Sequence, residues 1–181
     1  MIKYISIEEQ VDADFTRARH KAFLHSLKAR VLRGDRSSTY LLSFEEARKA
    51  LGALNKILIG RRVVPVEKIV GSVGRYDEFD RAFLPAKARV GSKWKRIDRA
   101  FHRGEELPPV VLYKMGDAYF VEDGNHRVSV AHYQGVEWID AEVTELHPRL
   151  PAALADTELG DRRRSPLPRR VELGREGSAA A

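Results

Sequence analysis

The stretch Tyr119-Phe120-Val121-Glu122-Asp123-Gly124-Asn125-His126-Arg127-Val128-Ser129-Val130-Ala131 constrains this chain more than any other. An aromatic and β-branched run ends in a polar, glycine-containing turn and passes directly into a segment with Val128 and Ala131 on one side, so it reads as a strand feeding a helix. A helix start leaves backbone N–H groups without intrahelical partners, and those groups point at one spot. Asp123, Asn125, His126 and Arg127 crowd around that spot. The layout is that of a small anion or phosphate site.

The neighbouring segments supply a domain for it. Val110-Val111-Leu112-Tyr113 is a β-rich run entered through Pro108 and Pro109, Met115-Gly116-Asp117 is a turn, and Ala118 to Val121 pairs back as a hairpin. Gly135 stops the helix, and Trp138 to Val143 makes a further strand. Upstream, Val63 to Val70 is extended, Gly71 to Arg75 is a turn whose glycines admit close approach of a ligand, and Tyr76 to Leu84 is a short acidic helix or turn. Trp94 to Phe101 is a helix with Trp94, Ile97 and Phe101 on one face, and Trp94 is expected in the core. The basic stretch Lys87, Arg89, Lys93, Lys95 and Arg96 is suited to tracking a phosphate backbone or gating a site as a loop. An α/β domain from about Arg62 to Leu146 accounts for these signals.

The N-terminal third reads as a helical hairpin. Phe15, Ala18, Ala22, Leu24, Leu27, Val31 and Leu32 recur at helical spacing. Gly34 to Ser38 breaks the pattern, and a second helix is expected from Ser43 as N-cap through Ala47, Leu51, Leu54 and Leu58 to Gly60. Lys21, Lys28, Arg30, Arg33 and Arg36 form a basic face that is more simply solvated than DNA-bound, since the gap between the helices is too long for a helix-turn-helix.

The 181 residues suit one main domain with appendages. Cysteine is absent, which removes thiol catalysis, disulfides and thiolate metal sites. A formal charge of +6 makes polyanions plausible partners. No run approaches the length of a membrane span and the N-terminus lacks a signal-peptide pattern, so a cytoplasmic protein without membrane contact is expected. His126 and His132 do not face each other on a helix, and no histidine pair stands at i and i+4, so a histidine metal centre is not expected. Beyond His147, prolines 148, 151, 166 and 168 and Arg162-Arg163-Arg164 leave little to bury, and disorder is expected from about Gly160.

Taken in order, Val64-Pro65-Val66-Glu67-Lys68-Ile69, Arg75, Leu107-Pro108-Pro109-Val110-Val111, the Tyr119 to Val121 strand and Gly124-Asn125-His126-Arg127 with Ala131 resemble the ParB/sulfiredoxin superfamily, in particular its ParB-like N-terminal nuclease domain. The resemblance implies an α/β (α+β) fold: a small mixed sheet with packed helices, here preceded by the helical hairpin. It divides the chain into a helical extension (1–61), the family-like domain (62–147) and a proline- and arginine-containing tail (148–181). ParB-like proteins cradle nucleotide phosphate with a glycine-acidic-arginine-arginine box. Here Arg127 is retained, while Asn125 and His126 stand at the other two positions. The helix-turn-helix of true partition proteins has no counterpart. Asn125 occupies the position of the sulfiredoxin cysteine, which excludes that chemistry. Asp123-Gly124-Asn125-His126-Arg127 is similar to the aspartate-glycine-histidine-histidine-arginine box of archaeal free serine kinases at every position but the third.

These readings name the expected site. Arg75, Gly124, Asn125, His126 and Arg127 are the expected phosphate contacts, Arg75 by its match to the arginine that follows the first strand of ParB-like domains. Asp123 is the expected catalytic carboxylate and Mg²⁺ ligand, with capping of the following helix as its plainer role. Arg127 has a plainer role too, a salt bridge to Asp123 or Glu122. His126 is an acid-base candidate, and Glu106 is the second carboxylate, with Glu105 not separable from it. Mg²⁺ and a nucleoside di- or triphosphate are the implied cofactors, DNA or nucleotide the implied partners, and a homodimer is compatible with the chain. Three functions follow: a nucleotide- or nucleic-acid-binding protein that includes a metal-dependent nuclease, a small-molecule kinase, and a catalytically silent nucleotide-binding module.

Overall fold

Local sequence signals and the observed elements agree best around the central hairpin. The computed structural model describes residues 5–33, 39–52 and 54–148. β4 (Val110–Met115) and β5 (Ala118–Asp123) pair antiparallel across a turn in which Gly116 takes φ 58°. Gly124 then adopts φ 101°, α4 runs over Asn125–Gln134, and Gly135 closes it in the left-handed conformation. Downstream, β6 (Trp138–Pro148) lies parallel to β4.

The N-terminal third departs from the expected helical hairpin. α1 (Ile7–Arg33) begins earlier than its periodicity suggests, and among its described residues Val11, Asp14, Ala18 and Ala22 are buried while Leu24, Leu27 and Val31 are exposed. After the two-residue β1 (Leu42–Ser43), α2 (Phe44–Leu51) stops at Gly52, whose φ of 78° ends it. Leu54 and Leu58 therefore do not continue a helix. They belong to β2 (Leu54–Pro65), which pairs antiparallel along β6 with a bulge at Gly60. The helical spacing of Leu51, Leu54 and Leu58 was fortuitous, because pairing with a partner strand far along the chain outweighs a weak local pattern. β2 also runs through the boundary expected at 61/62, and Met1–Arg149 forms one compact unit. The expected Gly34–Ser38 break and the tail beyond Arg149 lie outside the described residues.

β3 (Ile69–Ser72) completes a mixed sheet of order β1-β3-β5-β4-β6-β2. Gly71 is part of β3 rather than of a ligand-binding turn. A Cβ there would lie 2.4 Å from Phe120 and 2.5 Å from the Leu42 carbonyl, so glycine permits the close approach of three strands.

Alternation along the strands builds a core on each face of the sheet. Val110, Leu112, Val121, Ala141 and Val143 face the larger one, with Val128 and Val130 of α4 and Trp94 of α3 (Gly91–His102). Phe44, Met115, Phe120 and Leu146 form the smaller one. Trp94 is fully buried and meets Phe15 of α1 at 5.6 Å and Tyr133 of α4 at 5.5 Å. Its indole N–H donates to Ser129 Oγ at 2.9 Å, and that hydroxyl donates to the Phe83 carbonyl. Phe83 holds φ 56°, a conformation that costs about 1 kcal/mol for a bulky residue. The segment around it is a turn rather than a helix, fixed by Asp80 Oδ1, which accepts from the N–H groups of Ala82 and Leu84.

Candidate functional site

β3 and β5 are parallel neighbours, so their C-terminal ends open on the same edge of the sheet. Crevices of this kind are where open α/β sheets bind ligands. Here Gly74 and Arg75 follow β3, Glu122 and Asp123 end β5, and α4 begins at once, while one side of α3 forms the opposite wall. Together they enclose a cleft of about 670 Å³, a size suited to a small-molecule ligand.

Asn125, His126 and Arg127 occupy the first turn of α4, and the first intrahelical bond closes from Val128 N–H to the Gly124 carbonyl. The preceding N–H groups are thus available to an anion. Glycine is required at the entry for two reasons: its φ is strongly positive, and a Cβ would sit 2.7 Å from Val110 Cγ1. Asn125 is only 6% exposed, yet its Oδ1 has no hydrogen-bond partner. A buried, unsatisfied amide oxygen that lines a cleft is costly without a ligand or water.

His126 carries the strongest electrostatic signature. Both ring nitrogens are buried without partners, and the ring sits edge-on to Phe79 at 5.6 Å. Burial first, then the positive charge of Arg75, push its pKa down to about 4, with Lys93 and Arg96 adding to the effect and Glu78 opposing it. The imidazole is therefore neutral at physiological pH. It offers one N–H and one lone pair, not a charge.

Arg127 and Asp123 occupy each other. Arg127 Nη2 donates to Asp123 Oδ2 at 2.6 Å, and Nη1 donates to the carbonyls of Pro108 at 2.7 Å and Pro109 at 3.2 Å. The guanidinium straps the entry of β4 to the end of β5 in this conformation, the salt-bridge role that stands as its plainer reading. Asp123 does not cap α4, since Gly124 holds the N-cap position and no side chain caps it. Arg75 lines the cleft and donates to Glu78 Oε2 at 2.9 Å, which Arg89 also approaches through Oε1 at 3.0 Å.

The carboxylates fall differently from the sequence expectation. Glu105 lines the cleft, whereas Glu106 borders a separate depression beyond Arg127, with Phe101, Val136 and Trp138. Neighbouring residues of the loop that leaves α3 thus line different depressions.

The basic stretch is divided by helix geometry rather than acting as a loop. Lys87 pairs with Asp77, Arg89 with Glu78, and Lys95 with Asp12 at 2.7 Å. Lys93 and Arg96, three apart on α3, share the face that lines the cleft. Among the described residues neither has an ion-pair partner. The sequence placed both in the stretch without distinguishing them from their neighbours.

A second cluster lies where α1, α3 and α4 meet. Asp14, Asp98 and His102 bring ligand-type atoms within 4.8 Å of one another. This buried Asp/Asp/His set has the donors for coordinating a metal ion. The sequence draws attention to His126 and His132 and does not single out this set. The legible signal was Asp98 and His102 at i and i+4; Asp14 is 88 residues from His102, and no local pattern links them.

No family model matches the chain, and no curated protein matches it. Among solved structures it is similar to sulfiredoxin from Arabidopsis thaliana, with 16% sequence identity and a TM-score of 0.34, covering 54% of this chain and 93% of that one. This is a weak, partial likeness to a sulfiredoxin-like fold within a mixed α/β architecture. Among the described residues no helix is long and apolar enough to cross a membrane.

Proposed function

We propose that the cleft binds the phosphate end of a nucleoside di- or triphosphate and that the protein is a nucleotide-binding module of ParB-like type. The observation that carries this reading is the pairing of two opposed walls. Lys93 and Arg96 stand without ion-pair partners among the described residues on α3, and across from them the first turn of α4 presents free backbone N–H groups, the donors a phosphate needs. Neutral His126 adds a hydrogen-bonding group without a charge to neutralise.

The donor set is compatible with Mg²⁺. That ion keeps several waters and takes one or two carboxylates beside substrate phosphates, and Asp123 and Glu105 both line the cleft. A metal-dependent nuclease or a small-molecule kinase would also need a free carboxylate in the cleft. With Asp123 held by Arg127, Glu105 3.6 Å from Arg103, Glu122 accepting from the Tyr113 hydroxyl and Glu106 in another depression, each of these carboxylates already has a partner or lies elsewhere, and binding is the reading this geometry supports best. DNA is the alternative ligand of the same basic wall.

Calorimetric titration of ATP, ADP and CTP with Mg²⁺ tests it. One site of micromolar affinity is expected for at least one of them. No heat with any nucleotide, together with salt-sensitive binding of duplex DNA, would transfer the basic wall to nucleic acid.

A further inference from the structure

We propose that Asp14, Asp98 and His102 bind one divalent cation of the zinc class, which clamps α1 to α3 at a site separate from the cleft. None of the three lines the cleft. Asp14 comes from α1, and Asp98 and His102 come from successive turns of α3.

The orientation of the two carboxylates carries the argument. Each has one oxygen held from outside: Asp14 Oδ1 accepts from Tyr133 Oη at 3.0 Å and from Arg17 at 3.3 Å, and Asp98 Oδ1 accepts from Gln134 Nε2 at 2.7 Å. The other oxygen of each turns to the same imidazole nitrogen. His102 Nε2 lies 3.0 Å from Asp14 Oδ2 and 3.6 Å from Asp98 Oδ2. Ligands held about 2.0 Å from a tetrahedral zinc stand about 3.3 Å apart, so these separations already match those around a small cation. Hydrogen bonds to the non-ligating oxygens are what orient carboxylates in metal sites.

Charge and satisfaction point the same way. Asp98 is 0% exposed, and its Oδ2 has no hydrogen-bond partner. Asp14 is 5% exposed. A divalent cation on a neutral imidazole and two carboxylates balances their charge. One imidazole nitrogen with two carboxylates suits zinc and cobalt, while magnesium and calcium favour oxygen donors alone.

The site adds a link to a contact in which Phe15 of α1 packs closely on Gly91 and Trp94 of α3. Between α1 and α3 there are the Phe15 to Trp94 contact and the exposed pairs of Arg99 with Glu8 and Lys95 with Asp12. Exposed pairs of this kind contribute little.

The test uses the full chain, stripped with chelator and titrated with Zn²⁺ and with Co²⁺, whose visible absorption reports its ligand field. Binding of one ion per chain is expected, with a rise in Tm of about 5 °C at saturation. Both effects should disappear in His102→Ala and in Asp98→Asn. Asp98→Asn keeps the shape and removes a buried charge, so its metal-free form should melt no lower than wild type, which separates loss of metal from loss of fold. Absence of saturable binding in the wild type, or binding undiminished in a folded Asp98→Asn variant, would overturn the proposal.

Discussion

Arg127 Nη2 lies 2.6 Å from Asp123 Oδ2 while Nη1 of the same guanidinium holds the carbonyls of Pro108 and Pro109. One side chain therefore ties together the end of β5, the start of α4 and the entry of β4. Arg127→Ala is expected to cost about 1–3 kcal/mol in denaturant unfolding, since charge-assisted bonds are lost and two carbonyls need new donors. Arg127→Lys should recover less than half of that, because an ammonium cannot fork between a carboxylate and two carbonyls. Wild-type stability in both variants would sink the strap.

Lys93 and Arg96 allow a cleaner test of anion binding than Arg127 does. Both are exposed on α3 and carry no structural ion pair among the described residues. Lys93→Ala and Arg96→Ala should each weaken nucleotide binding by roughly tenfold and leave Tm within about 1 °C. Calorimetry and thermal melts on the same preparations read both, and unchanged affinity in the double variant would remove the basic wall from the site.

Gly124→Ala should destabilise the fold by about 2–4 kcal/mol. The new methyl group meets a φ of 101° and a contact of 2.7 Å with Val110 Cγ1, a backbone penalty added to an overpacking one. Gly74→Ala, where a Cβ meets nothing within 4 Å, is the matched control and should unfold as wild type does. Equal urea midpoints for the two variants would contradict this account.

The neutral His126 makes stability fall on the acid side. Its folded pKa, about 4, lies below the ordinary 6.5, so between those values the unfolded chain binds the extra proton and stability rises with pH. The contribution is complete above pH 6.5 and is lost as pH falls toward 4. The shift corresponds to about 3 kcal/mol, reduced to roughly 1–2 kcal/mol by the solvent that reaches the half-buried ring. His126→Gln should flatten this limb when unfolding at pH 7 and pH 4.5 is compared; an unchanged difference would assign it to other groups.

Much of this molecule was legible one segment at a time. The β4–β5 hairpin, the Gly124 turn, α4 with its Gly135 stop and the burial of Trp94 all follow from residues within a few positions of one another. Where the deciding partner is distant, the local reading failed. Leu54 and Leu58 look helical until β6 is there to pair with them, and Leu24, Leu27 and Val31 keep an apolar spacing that the body of the protein leaves exposed.

By itself the sequence determined the strand-turn-helix that presents Asn125, His126 and Arg127, because turn chemistry and helix entry are local. Tertiary structure alone decided that Arg127 reaches the carbonyls of Pro108 and Pro109, that Glu105 rather than Glu106 enters the cleft, that Lys93 and Arg96 face it, and that Asp14 meets Asp98 and His102. Each of these depends on which faces of distant elements are brought together, and charge placement across such contacts has no period in the chain that could announce it.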